Sequence, residues 1–188
     1  MQGWPQRHRI SVEHFYRMAD AGLFDADERV ELVDGEIIDV PPMGSRHATV
    51  AEQLTRLLGA ALPMEIIVRS QLPVSLGEYS ELLPDIAIAR PRSDRYGTHH
   101  PTAADVLLLV EVSDSTLRYD REIKSALYAR HGVPELWIVD VQAKELLSYR
   151  SPVAGRYMSE TRLPLGRMLV AATGIEIDLA ALLIAQPV

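Results

Sequence analysis

Asp120 and Lys124 stand one helical turn apart and are the first residues in this 188-residue chain whose types and spacing suggest chemistry. At i, i+4 they share one side of a helix, where such a pair ordinarily forms a surface ion link contributing a few tenths of a kcal/mol. Composition sets Lys124 apart from that case: the chain uses Arg 17 times and Lys only at Lys124 and Lys144. A surface link tolerates Arg, whereas a compact ammonium of adjustable position and pKa suits a catalytic site. Glu111 ends the apolar run 106–110, and Asp85 follows Pro84 at the mouth of a strand of small and β-branched residues. If those two strands are neighbours the carboxylates converge, and paired carboxylates bind Mg²⁺ or a similar hard cation. Plainer roles stay open: Asp85 as a turn cap, Glu31 as a solvated acid on an edge strand, and His47 as an exposed residue or a carboxylate's partner.

The elements that must position these residues follow from periodicity. Residues 106–110 are five consecutive leucyl or β-branched residues, the pattern of a strand buried on both faces in the middle of a mixed sheet. A polar turn leads into a helix from about residue 119, with Ile123, Ala126, Leu127 and Arg130 on one face, stopped by Gly132 and Pro134. Residues 135–140, ELWIVD, form the next strand. Upstream, Ser11 caps a short helix that turns Val12, Phe15, Tyr16 and Ala19 inward. Asp34-Gly35 joins strands 29–33 and 36–40 into a hairpin, since both centres of a type I′ turn need positive φ. Val30, Leu32 and Ile37 are its core candidates, and Glu31 points to the face opposite Leu32. A longer helix begins at Ser45 after the break Pro41-Pro42-Met43-Gly44, with His47 in its first turn and a stripe of Val50, Leu54, Leu57, Leu58 and Ala61. Strands are expected at 65–70, 72–76, 145–150, 156–163 and 167–170, the last three antiparallel with turns at Gly155 and Gly166. The end supplies one short strand and a helical turn.

At this length the chain is expected to form one domain, 1–188, with a substantial core. Zero cysteines exclude disulfides, thiolate metal sites and a cysteine nucleophile. The opening MQGWPQRHRI lacks an apolar segment and the longest apolar run is too short to span a bilayer, so a cytoplasmic location without membrane contact is the expectation. A net charge of -7 argues against a generic nucleic-acid coat, because phosphate binding rests on positive surface. It leaves room for an enzyme that concentrates Arg locally. The most basic stretch is the loop between Asp85 and Glu111, with Arg90, Arg92, Arg95, His99 and His100, either as solvated charge or as a phosphate-contacting flap.

The order ELVDGEI, a Pro-Gly-containing break with His47, PDIAIA, VEVSDST and YDREIKSALYARHGVPELWIVD closely resembles the Uma-two family of restriction-endonuclease-like proteins, within the PD-(D/E)XK nuclease superfamily. The resemblance spans nearly the whole chain and is specific only in combination. It implies an α/β fold: a restriction-endonuclease-like mixed β-sheet core flanked by helices, with an N-terminal helix and hairpin. It makes Asp85 the acid of the PD motif and Glu111 the acid of the (D/E)XK motif, with Ser113 where the superfamily typically has Lys. Lys124 matches the family's displaced lysine, and Glu31 the acid on the first core element. The implied activity is Mg²⁺- or Mn²⁺-dependent hydrolysis of DNA, or of another nucleic acid, with Asp85, Glu111 and the backbone carbonyl of Val112 holding the metal. Lys124 would orient the attacking water or stabilise the developing charge, and Asp120 would steady the ammonium. Arg90, Arg92, Arg118 and Arg121 are candidate phosphate contacts. Cutting both strands implies a two-fold homodimer. A nuclease fold that binds or regulates without cutting is the competing expectation, and a small-molecule metal hydrolase a third.

Overall fold

The structure is a computed structural model that describes residues 6–25 and 27–183. In chain order the elements are α1 (Val12–Asp20), β1 (Val30–Val33), β2 (Glu36–Asp39), α2 (Ser45–Ala61), β3 (Ile67–Ser70), β4 (Val74–Ser75), β5 (Glu81–Leu82), β6 (Ile86–Ala89) and β7 (Val106–Ser113). A continuous helical segment follows: α3 (Leu117–Tyr119), a π-helical turn (Asp120–Lys124) and α4 (Ser125–Arg130). Then come β8 (Glu135–Asp140), β9 (Glu145–Val153), β10 (Arg156–Pro164), β11 (Arg167–Val170), β12 (Ile175–Asp178) and a 3₁₀ turn (Leu179–Leu183).

The apolar run at 106–110 becomes the middle of the principal sheet, whose order is β10-β9-β8-β7-β6-β3. All eight residues of β7 are buried. Its one parallel neighbour is β8, reached through the helical crossover; β6 pairs on its other side antiparallel. Alternation along β7 divides the core. Val110 and Val112 pack with Val50, Leu54 and Leu58 of α2 and with Met168, Val170 and Ile177 of the β11–β12 hairpin. Leu109 faces the other way, with Val33, Val74 and Leu82 of a four-stranded sheet, β2-β1-β5-β4, with Leu76 just past β4, and with Leu127 and Tyr128 of α4. Glu111, two residues from Leu109, projects to that second side.

The hairpin forms where Asp34-Gly35 indicates, with φ of 52° and 82° at the two turn residues. Side chains at 31 and 33 then share a face, and Val33 belongs to the core between the two sheets. Glu31 is carried into that interface and is 2% exposed. The solvated edge acid is thus ruled out, because the second sheet lies over the first and covers the strand face opposite Leu32.

Three expectations need correction. Of the residues expected to face inward, Tyr16 and Ala19 of α1 and Ala61 of α2 are exposed, and Phe15 is the buried residue of α1. β11 pairs with β12 in a separate hairpin and does not extend the β9–β10 ribbon. The crossover helix starts two residues earlier than its apolar spacing suggested and buries a different face: Asp120, Lys124, Leu127 and Tyr128 are inside, whereas Ile123, Ala126 and Arg130 are exposed. The π-helical turn adds a residue to one coil and so rotates the phase of everything after it.

Candidate active site

Register brings the first two acids together. Ile86 pairs with Val110, so the same antiparallel ladder continued by one step opposes Asp85 to Glu111. Directly opposed side chains lie on one face with Cβ atoms about 4.5–5.5 Å apart. Asp85 Oδ2 accepts the backbone N–H of Val112 at 2.8 Å, and Oδ1 accepts from His47 Nε2 at 2.8 Å. His47 reaches it because the first turn of α2 sits above the end of β6. Both oxygens of Asp85 are therefore fixed in direction before any ligand arrives.

Lys124 comes from the buried face of the helix and ends between two carboxylates. Its Nζ donates to Glu31 Oε1 and to Glu111 Oε1, each at 3.2 Å. Glu31 Oε1 also accepts the backbone N–H of Leu83 at 2.9 Å, and Glu111 Oε1 accepts from the Tyr128 hydroxyl at 2.5 Å. Asp120 turns elsewhere: its Oδ2 accepts from Ser113 Oγ at 2.6 Å and Thr116 Oγ1 at 2.7 Å. It acts on Lys124 through its field and not through a hydrogen bond. Ser113 thus anchors the start of the helix that delivers the lysine.

Electrostatically the site is short of positive charge. Four acids, Glu31, Asp85, Glu111 and Asp120, are buried around one ammonium. Burial drives the Glu111 carboxyl well above its ordinary range; Lys124 opposes the rise, and Asp120, Asp85 and Glu31 add to it. For Lys124 burial alone would depress the ammonium, but Glu111, Glu31, Asp120 and Asp85 outweigh it and hold the pKa above its usual value. The lysine is charged across the physiological range, and a proton on Glu111 or a bound cation offsets part of the remaining negative charge.

These residues line a cleft of about 390 Å³. Its walls include the loop Pro41 to Gly44, Asp39, Asp114, Thr116 and Tyr119, and its cations are Lys124 and Arg29. Among the described residues no three His, Asp or Glu side chains already close around one point. The donor set nonetheless fits a hard divalent cation: it consists of carboxylate oxygens, it carries excess negative charge, and Oε2 of Glu111 has no hydrogen bond among the described residues while Oε1 is held from behind. Tyr119 adds a further observation. Its hydroxyl is buried without a hydrogen-bond partner among the described residues.

The four arginines singled out as phosphate contacts lie outside this cleft. Arg118 pairs with Glu122, and Arg121 with Glu160, along a separate groove on the other side of the helix. Arg92 pairs with Asp94, and Arg90 donates to the carbonyl of Ala104. Arg29, Tyr119 and Tyr128 were not singled out. Arg29 is one of many Arg, and for the tyrosines the available signal was position: Tyr128 repeats the Asp120–Lys124 spacing by four more residues.

Among solved structures, the chain is similar to one described as a "putative nuclease belonging to DUF820" from Anabaena variabilis ATCC 29413, with a TM-score of 0.69 at 16% identity over 92% of this chain and 97% of that one. At that identity the likeness bears on the fold, which the two share. No curated relative matches. A family model, Uma2, described as "Putative restriction endonuclease", matches residues 12–183. That span is most of the chain and holds every acid of the cleft together with Lys124, so the protein belongs to the Uma2 family of restriction-endonuclease-like proteins.

Proposed function

We propose that the protein is a divalent-metal-dependent endonuclease that hydrolyses phosphodiester bonds of DNA in the acid-lined cleft. The observation that carries this reading is the union of Asp85 and Glu111 on neighbouring strands with a lysine returned to them from the next helix. In this reading Asp85, Glu111 and the Val112 carbonyl hold Mg²⁺ or Mn²⁺, which supplies Lewis-acid polarisation of the phosphate and a nucleophile at neutral pH.

The chain's own groups do the rest. Lys124, kept charged by its acids, orients the attacking water and offsets charge that builds on the phosphoryl oxygens. Glu31 holds that ammonium at the edge of the strand when Glu111 turns to the cation. His47 and the Val112 N–H keep Asp85 from rotating. Arg29 is the cleft cation available to a substrate phosphate, and Arg90, Arg92, Arg118 and Arg121 are left to phosphates farther along a bound duplex. Cleavage of both strands calls for two such sites, hence a two-fold dimer.

The test uses end-labelled duplex DNA, single-stranded DNA and RNA, each incubated with the protein and Mg²⁺ or Mn²⁺. Internal cuts in DNA that EDTA abolishes support the proposal. Cuts confined to RNA would overturn the substrate, and intact strands throughout would favour a binding module on the same fold.

A further inference from the structure

We infer that Tyr128 is a positioning residue that keeps Glu111 aimed into the cleft while Lys124 is engaged with substrate. The inference rests on the reading of the cleft as a metal centre, and it concerns a residue that reading does not use.

Lys124 has two duties that compete. Its ammonium is bonded to Glu31 and Glu111, yet orienting a water or meeting a phosphate requires it to give up part of that bonding. Among the described residues Glu111 Oε1 has one other donor, the Tyr128 hydroxyl at 2.5 Å. Tyr128 has no competing duty. It is fully buried, and its ring sits in the apolar cluster with Leu109, Leu136, Ile138 and Leu147. Asp120, Lys124 and Tyr128 recur at i, i+4 and i+8 along one buried helix face, so one rigid element delivers both donors to the same oxygen. With Oε1 pinned from behind by the phenol, Oε2 is the oxygen left to face a cation. Groups that hold a metal's ligands in this way typically change metal affinity about 10–100-fold when removed.

The experiment measures Mn²⁺ affinity from the free-ion EPR signal in the native protein, Tyr128→Phe, Tyr157→Phe and Asp85→Asn. Tyr157 is the control for a merely structural loss, because its hydroxyl bonds the Val133 carbonyl at 2.9 Å away from the cleft. The expected result is Mn²⁺ binding weakened about 10–100-fold in Tyr128→Phe and unchanged in Tyr157→Phe. Affinity in Tyr128→Phe within about twofold of native, with Asp85→Asn impaired, overturns the inference and leaves the metal centre standing. A native protein that binds no Mn²⁺ overturns both. Should Tyr128→Phe not fold, NMR of the unaltered protein decides: a Tyr128 hydroxyl proton that stays protected from exchange when Mg²⁺ is added supports the role. Its loss on Mg²⁺ addition counts against it.

Discussion

Replacing Lys124 with methionine removes the ammonium while keeping an unbranched stem in the same space. Glu31 and Glu111, 2% and 3% exposed, then face each other without a counter-ion. Breaking a buried ion pair by deleting one partner costs about 3–5 kcal/mol, because the remaining charge is left uncompensated. For a chain of this size each kcal/mol lowers the melting temperature by about 2–4 °C, so the expected drop is roughly 6–20 °C. Glu111 can relieve part of the strain by taking a proton, which makes the loss smaller below its raised pKa of about 8 than above it. A divalent cation can relieve it too: one present at about 100 times its dissociation constant returns about 2.7 kcal/mol. Calorimetry with and without Mn²⁺, at two pH values, reads all three effects. A loss below about 1 kcal/mol, insensitive to pH and to Mn²⁺, would refute the account of a buried lysine holding two acids together.

Other outcomes follow from the same geometry. An acid whose folded pKa is raised retains its proton longer folded than unfolded, so Glu111 takes stability away as the pH climbs from its ordinary 4.5 through the raised value. Glu111→Gln should therefore flatten the fall of unfolding free energy between about pH 5 and pH 9 in a urea series, and an unchanged slope would contradict the assignment. Tyr119→Phe deletes a buried hydroxyl that has no partner among the described residues, so stability should hold or rise by up to about 1 kcal/mol in denaturant melts; a clear loss would mean the hydroxyl is bonded in solution. Gly35→Ala forces a left-handed residue at φ 82° and sets its Cβ 2.7 Å from that of Arg9. It should cost at least about 1–2 kcal/mol and loosen the strand bearing Glu31, visible as faster amide exchange in β1 and β2.

Much of the frame was legible because single residues dictate it. Asp34-Gly35 allows little but a tight hairpin, and an eight-residue strand with no exposed position needs sheet on both sides. The parallel β7–β8 pair follows from a helix-length crossover between two apolar runs. What could not be read depended on contacts distant in the chain. Glu31 looks like a surface acid until β5, a strand of two residues, brings the Leu83 N–H to it. The buried face of the crossover helix was misjudged because its inward residues include Asp120 and Lys124, so the hydrophobic stripe marks the wrong side. At a site that gathers charge in the interior, polarity and burial part company, and patterns built on hydrophobicity fail there first. Tyr128 was hidden for the opposite reason: a tyrosine in a helix reads as core, and only the carboxylate on the strand it packs against gives it another use.

The most direct measurement is cleavage of supercoiled plasmid by the purified protein with Mg²⁺ or Mn²⁺, beside Asp85→Asn and Lys124→Ala at matched folding. The account predicts nicked or linear DNA with the native protein, and none with either variant or in EDTA. Cleavage that survives Lys124→Ala but not Asp85→Asn would keep the metal site and contradict the lysine's role. Plasmid left supercoiled under every condition would contradict the nuclease itself.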